Sequence, residues 1–144
     1  MKKFLMTLVC AATAWCVSAA PQEVDFGKLP QKSQEFVQHY FSNETVKRVE
    51  MDRESSWDKY TVYFNSGSQV SFEGGTGDCT QIVMKDGYVP AAVLPNGVKS
   101  YVGRKYPNGK IVGYETTADG YKICMSNKTC VYFDKNGDFV KATE

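Results

Sequence analysis

Past residue 19 the sequence has no long apolar run, a single histidine and no block of like charge. Each shortage excludes a class of protein. Without about twenty consecutive apolar residues, this part of the chain cannot cross a bilayer as a helix. His39 alone, with cysteines at no recognised ligand spacing, excludes a zinc site. It falls on the polar side of its helix, where a solvated imidazole cannot readily serve as a base. No carboxylate pair is fixed on a rigid element, so no catalytic residue is assigned, no cofactor is implied, and an enzyme is not expected. With Lys2 and Lys3 set aside, fifteen Lys and Arg face sixteen Asp and Glu. That balance, with no basic stretch carrying interleaved aromatics, excludes nucleic acid as a partner.

The first nineteen residues have a separate logic. Lys2-Lys3 precede an apolar run, Phe4 to Val17, too short to span a membrane, and Val17-Ser18-Ala19 satisfies the small-residue rule for signal peptidase. Cleavage after Ala19 avoids placing Pro21 next to the scissile bond. Neither Cys10 nor Cys16 has the small residues before it that a lipoprotein leader needs. The expected product is a periplasmic or secreted chain of about 125 residues with no transmembrane segment. Three cysteines then remain, Cys79, Cys124 and Cys130, in an oxidising compartment.

What is present is a hairpin that occurs twice. In Tyr60 to Phe72, the residues Tyr60, Val62 and Phe64 alternate with polar neighbours, as do Val70 and Phe72. Asn65-Ser66-Gly67 suits a type I turn closed by a left-handed glycine, which sets Val62 opposite Val70. Adding 61 to each position gives Tyr121, Ile123, Val131 and Phe133, with the turn Ser126-Asn127-Lys128 lacking the glycine. Asn127 or Lys128 must then take the left-handed conformation, which asparagine tolerates better. The same register puts Cys124 directly opposite Cys130 on the outward face. A cross-strand disulfide fits there, against three reduced thiols or a pairing of Cys79 with either of the other two.

Around each hairpin the same elements recur. Residues 20–28 are expected to be a flexible amino terminus, and a helix starts at Leu29-Pro30 with proline in the first helical position. Phe36, Val37, Tyr40 and Phe41 make its apolar stripe. Thr45 to Arg53 reads as a strand, Glu54 to Asp58 as a loop, and Cys79 to Met84 as the strand after the hairpin. The run Glu73 to Asp78 joins two strands and lacks a following Lys-Ser/Thr pair, so it is a turn and not a phosphate cradle. Leu94-Pro95, with Tyr101, Val102 and Tyr106, repeats the helix at an offset of 65. Lys110 to Thr117 repeats the first strand, with Glu115 at the place of Glu50, and a four-residue deletion shortens the loop that follows. Phe139 to Thr143 closes the pattern. Asp134, Asn136 and Asp138 resemble the opening of a calcium loop, but Phe139 occupies the position that needs glycine. A turn is the better reading, with a weak calcium site as its alternative.

The fold class is α+β: two tandem repeats, 29–89 and 90–144, each a helix plus a four-stranded antiparallel meander, forming one extended sheet with both helices on one face. The other face stays open and carries Tyr63, Gln69, Ser71, Lys122 and Tyr132 with the cysteine pair. It has the composition of a recognition surface, though tyrosine and threonine are also what β-propensity selects on any solvated sheet.

The order Leu-Pro, aromatic-valine helix, strand, Tyr-x-Val/Ile hairpin, Val-x-Phe-Asp/Glu and Gly-Asp, present twice between Leu29 and Val140, resembles the PepSY-like exported proteins of Bacteroidetes. Their tandem fold is similar to that of the β-lactamase-inhibitor protein. The resemblance implies a periplasmic role in binding or inhibiting a hydrolase; the open face with Tyr63 and Tyr132 adds the expectation of a non-enzymatic module that docks on an unidentified envelope protein, as an inhibitor or regulator of a hydrolase or peptidase. The alternative is an envelope sensor of a small molecule or calcium, suggested by the acidic turns at Asp78 and Asp134.

Overall fold

Alternation of apolar and polar residues makes each strand bury one side, and in the computed structural model nine strands do so against two helices. The structure describes residues 20–54 and 56–144; the leader assigned to residues 1–19 lies outside them. The strands are β1 (Gln22–Val24), β2 (Val46–Glu54), β3 (Trp57–Phe64), β4 (Gln69–Glu73), β5 (Cys79–Val83), β6 (Ile111–Thr117), β7 (Gly120–Met125), β8 (Cys130–Asp134) and β9 (Phe139–Thr143). They form one antiparallel sheet in chain order, without crossovers. The helices are α1 (Gln31–Tyr40) and α2 (Asn96–Lys105).

Both hairpins have the expected register, Val62 opposite Val70 and Ile123 opposite Val131. These four side chains and Ile82 are fully buried, each stabilising the fold by roughly 1.5–3 kcal/mol. Aromatic rings dock the helices on the same side of the sheet. Phe36 meets Phe72 edge-on at 5.5 Å, Phe41 stacks on Phe64 at 5.4 Å, and Tyr101 meets Phe133 edge-on at 5.5 Å.

Several expectations need correction. Among the described residues the sheet has nine strands, not eight. Residues 20–28, expected to be loosely held, contain β1, which pairs Val24 with Val49, and a 3-10 turn at Phe26–Lys28. Pro30 and Pro95 are the N-caps of α1 and α2, one residue before the first helical position. The loop expected over 54–58 is largely strand, with Glu54 opposite Trp57 and Arg53 opposite Asp58. The left-handed residue of the second hairpin is Lys128, at φ 71°, not Asn127. Its N–H donates to Met125 O as that of Gly67 does to Phe64 O, so turn geometry selects the third loop position. Asn127 instead accepts the Thr129 N–H through its side chain at 3.0 Å.

The two repeats seat their helices differently. Ser33, fully buried, donates to Gly77 O at 2.8 Å. At the corresponding offset α2 has Val98, preceded by Gly97, whose backbone lies against Gly137. A Cβ on Gly97 would come within 2.8 Å of Gly137 O. Close backbone approach thus replaces a side-chain hydrogen bond. Cys79 packs against the core, where burial pushes its thiol up to about 12 from an ordinary 9.0. Burial raises the Tyr114 hydroxyl as well.

Two stability measurements follow. Gly97→Ala should cost about 1–3 kcal/mol in urea unfolding, whereas Gly103→Ala, with open space at the added carbon, should stabilise by about 0.5–1 kcal/mol. A folded state that holds its proton more tightly than the unfolded chain keeps its full advantage below the unfolded pKa and loses it as pH rises. Stability should therefore fall from pH 9 towards 12, each of these groups contributing up to about 1.4 kcal/mol per pH unit. Cys79→Ala should flatten that decline in unfolding curves taken at stepped pH.

Candidate functional site: the open face of the sheet

One row of residues runs across every strand on the face away from the helices. Glu23 faces Glu50, which faces Thr61, then Ser71 and Gln81. Across the seam between the repeats the row continues with Glu115, Lys122, Tyr132 and Lys141. A parallel row holds Arg48, Tyr63, Gln69 and Val83, then Gly113, Cys124 and Cys130.

The residues named from the sequence fall into two clusters. Tyr63 sits opposite Gln69, and Arg48, hydrogen-bonded to Glu50 at 2.8 Å, lies 4.0 Å from the Tyr63 ring centre. Burial and the Glu50 carboxylate raise the Tyr63 hydroxyl above its ordinary value, and the Glu50 hydrogen bond raises the Arg48 guanidinium. On the other side, Lys122 and Lys141 approach the Tyr132 ring at 5.7 and 4.9 Å. Both are cation–π arrangements, which hold rings and cations in fixed relation at a partly exposed surface. Cys124 and Cys130 are disulfide-bonded there, with Cα atoms 4.1 Å apart. Strands β5 and β6 separate the clusters, a gap of roughly 14 Å between β4 and β7 at the usual strand spacing.

Ser71 is a correction. It lies on this face but is 1% exposed, its hydroxyl 3.0 Å from that of Thr61, so it shapes the floor and offers nothing to a partner.

Between the clusters, the seam is a depression that the residue pattern did not mark. A cavity of about 430 Å³ is lined by Trp57, Lys59, Glu73, Gln81, Glu115 and Thr117. A smaller one of about 170 Å³ adjoins it at Val83, Gly113, Lys122 and Cys124. Gly113 leaves the floor low because it has no side chain. Trp57 rises at the end because the β2–β3 hairpin extends two residue pairs beyond its counterpart, which stops at Thr117 opposite Gly120. Trp57 and Val83 are 38% and 40% exposed, large apolar groups presented to solvent. The alternation Tyr63, Thr61, Lys59, continued two residues further, would have placed Trp57 on this face.

The acidic turns are engaged internally. Asp134 Oδ1 accepts the N–H groups of Asn136 and Asp138 at 2.9 and 3.0 Å. Lys32 pairs with Asp78 and holds its carboxyl below the usual range. Among the described residues no group of three or more His, Cys, Asp or Glu is placed to hold a metal ion. His39 is exposed on α1, its ring edge-on to Tyr40. No described helix is long and apolar enough to cross a membrane.

Comparison with known proteins places this architecture. Residues 58–141 match a family model described as "Putative beta-lactamase-inhibitor-like, PepSY-like". No curated protein matches the chain. Among solved structures, a "putative periplasmic protein" of the DUF2874 family from Bacteroides vulgatus superposes with a TM-score of 0.82 at 26% identity, over 88% of this chain and 99% of that one. A "putative calcium-regulated periplasmic protein" from Bacteroides thetaiotaomicron gives 0.79 at 26% identity, over 86% and 97%. A third, a periplasmic protein of unknown function from B. vulgatus, gives 0.78 at 25% identity, over 87% and 100%. With more than half its length matched, this chain belongs to the PepSY-like family, and its compartment is the periplasm or beyond it.

Proposed function

We propose that this chain is a non-enzymatic binding module of the cell envelope. It grips a protein partner with the open face of its sheet and regulates or inhibits a hydrolase or peptidase there. The observation that carries this reading is the uncovered nine-strand row, with Trp57, Val83, Tyr63 and Tyr132 grouped around a depression at the seam. Buried apolar and aromatic anchors within a polar rim are the composition that concentrates binding energy in protein interfaces. The family's inhibitor-like description agrees with that use of the surface.

The two halves of the chain also differ in charge. Residues 20–89 hold seven Lys and Arg against eleven Asp and Glu, and residues 90–144 hold eight against five. A partner with the opposite polarity would be steered into one orientation.

A second reading, a calcium-responsive module, rests on the relative described as calcium-regulated and on the candidates Asp134, Asn136 and Asp138. The Asp134 carboxylate already accepts two backbone N–H groups, which favours the first reading.

Capture from envelope extract should recover a specific protein with the wild-type chain and lose it with Trp57→Ala combined with Tyr63→Ala and Tyr132→Ala, while Arg104→Ala on α2 retains it. Recovery of the same protein by the triple variant would count against the open face. Millimolar calcium should leave the melting temperature unchanged; a rise abolished by Asp134→Asn would favour the second reading.

A further inference from the structure

Strand β9 repeats β5 in its pairing. Gln69 faces Val83, Val70 faces Ile82 and Ser71 faces Gln81, with a bulge before Phe72 and Cys79. Cys130 faces Thr143, Val131 faces Ala142 and Tyr132 faces Lys141, with a bulge before Phe133 and Phe139. The far side of β5 accepts β6. The far side of β9 carries no strand among the described residues.

The β5–β6 seam therefore shows what the free edge of β9 is shaped to receive. Met84 N–H donates to Val112 O at 2.8 Å, and Thr80 O accepts the Thr116 hydroxyl at 3.4 Å. Even-numbered residues of β5 thus turn their backbone groups towards β6. An offset of 60 gives Ala142 the same outward direction on β9. Across the seam Ile82 faces Tyr114 and Gln81 faces Glu115. Ala142 stands at the place of Ile82 and is smaller, leaving room on the helix side for a large apolar side chain. The exposed Phe139, stacked on Tyr101 at 4.8 Å, lies beside that space. Lys141 stands at the place of Gln81, on the open face beside Lys122 and Tyr132. The acids Asp138 and Glu144 are confined to the two ends of the strand, and α2 adds Lys99, Arg104 and Lys105 with no acid.

We propose that the outer edge of β9 is a β-augmentation site for an extended antiparallel segment of a protein partner in which an apolar or aromatic residue is followed directly by an acidic one. The backbone supplies affinity and the Ala142 and Lys141 positions supply selectivity. A second copy is disfavoured as occupant, because β9 meeting β9 brings two Lys141 side chains onto one face within cross-strand or diagonal reach. The site is separate from the open-face reading and stands or falls without it.

The test uses a fluorescein-labelled peptide with the sequence of residues 111–117, whose Tyr-Glu pair has the required order, and a version with Glu115→Lys. Fluorescence anisotropy with the mature protein should show saturable binding of the first and roughly 5- to 10-fold weaker binding of the second. Ala142→Pro removes the outward N–H while leaving the β8 ladder its bonds, as proline on an edge strand does, and should abolish binding with an unchanged circular dichroism spectrum. Should that variant misfold, Lys141→Glu, a surface substitution, should reverse the preference between the two peptides. Absence of binding, equal binding of both peptides, binding undiminished in a folded Ala142→Pro, or no reversal with Lys141→Glu would each overturn the proposal. So would sedimentation of the wild-type chain as a dimer that Ala142→Pro dissociates, since the edge would then be occupied by a second copy.

Discussion

The seam between β5 and β6 is the constraint on which the rest depends. Three residue pairs there, Gln81 with Glu115, Ile82 with Tyr114 and Val83 with Gly113, join two meanders that could otherwise be separate units. Because pairing is in register, one side of both halves faces the helices and the other side of both faces solvent. A slip of one residue would leave Ile82 on the helix side but turn Tyr114 outward and bring Glu115 inward without a partner. The helices enforce the register, since Phe36 and Tyr101 meet Phe72 and Phe133 at equivalent places on the two halves. The whole outer face is thereby made continuous over nine strands.

That continuity gives a surface no single repeat could offer. Each repeat contributes an aromatic with a cation over it, Tyr63 with Arg48 and Tyr132 with Lys122 and Lys141. The depression between them belongs to neither repeat. It exists because Gly113 is small, because Val83 and Gln81 come from the first half, and because the longer first hairpin lifts Trp57 over its end. Divergence between the copies, not their likeness, built this feature. The same divergence shows in the helix seats, where Ser33 binds a turn carbonyl and Gly97 packs directly on a turn glycine. Charge has diverged too, leaving an acidic first half and a basic second half.

Repetition made much of the fold legible in the residues. Period-two alternation at Tyr60, Val62 and Phe64 fixed which side chains turn inward, and a copy 61 residues later confirmed the pattern, so hairpin register and the opposition of Cys124 and Cys130 could be read directly. Less legible were features without a periodic signal. The strand β1 is three residues long, shorter than any alternation can mark. Trp57 fell in the loop read over Glu54 to Asp58, and only pairing with Glu54 makes it strand. Ser71 was placed on the correct face, yet its burial depends on neighbouring side chains that alternation does not describe.

By itself the sequence determined an exported, duplicated α+β chain with one apolar and one polar side to every strand, because periodicity and turn residues act locally and survive in any arrangement. Tertiary structure alone decided that β5 and β6 meet to leave a trough beneath Trp57, and that Lys128 rather than Asn127 takes the left-handed turn position. Those outcomes depend on pairing between residues about thirty positions apart and on which backbone position a turn must bend. Neither quantity is carried by the spacing of apolar residues along the chain.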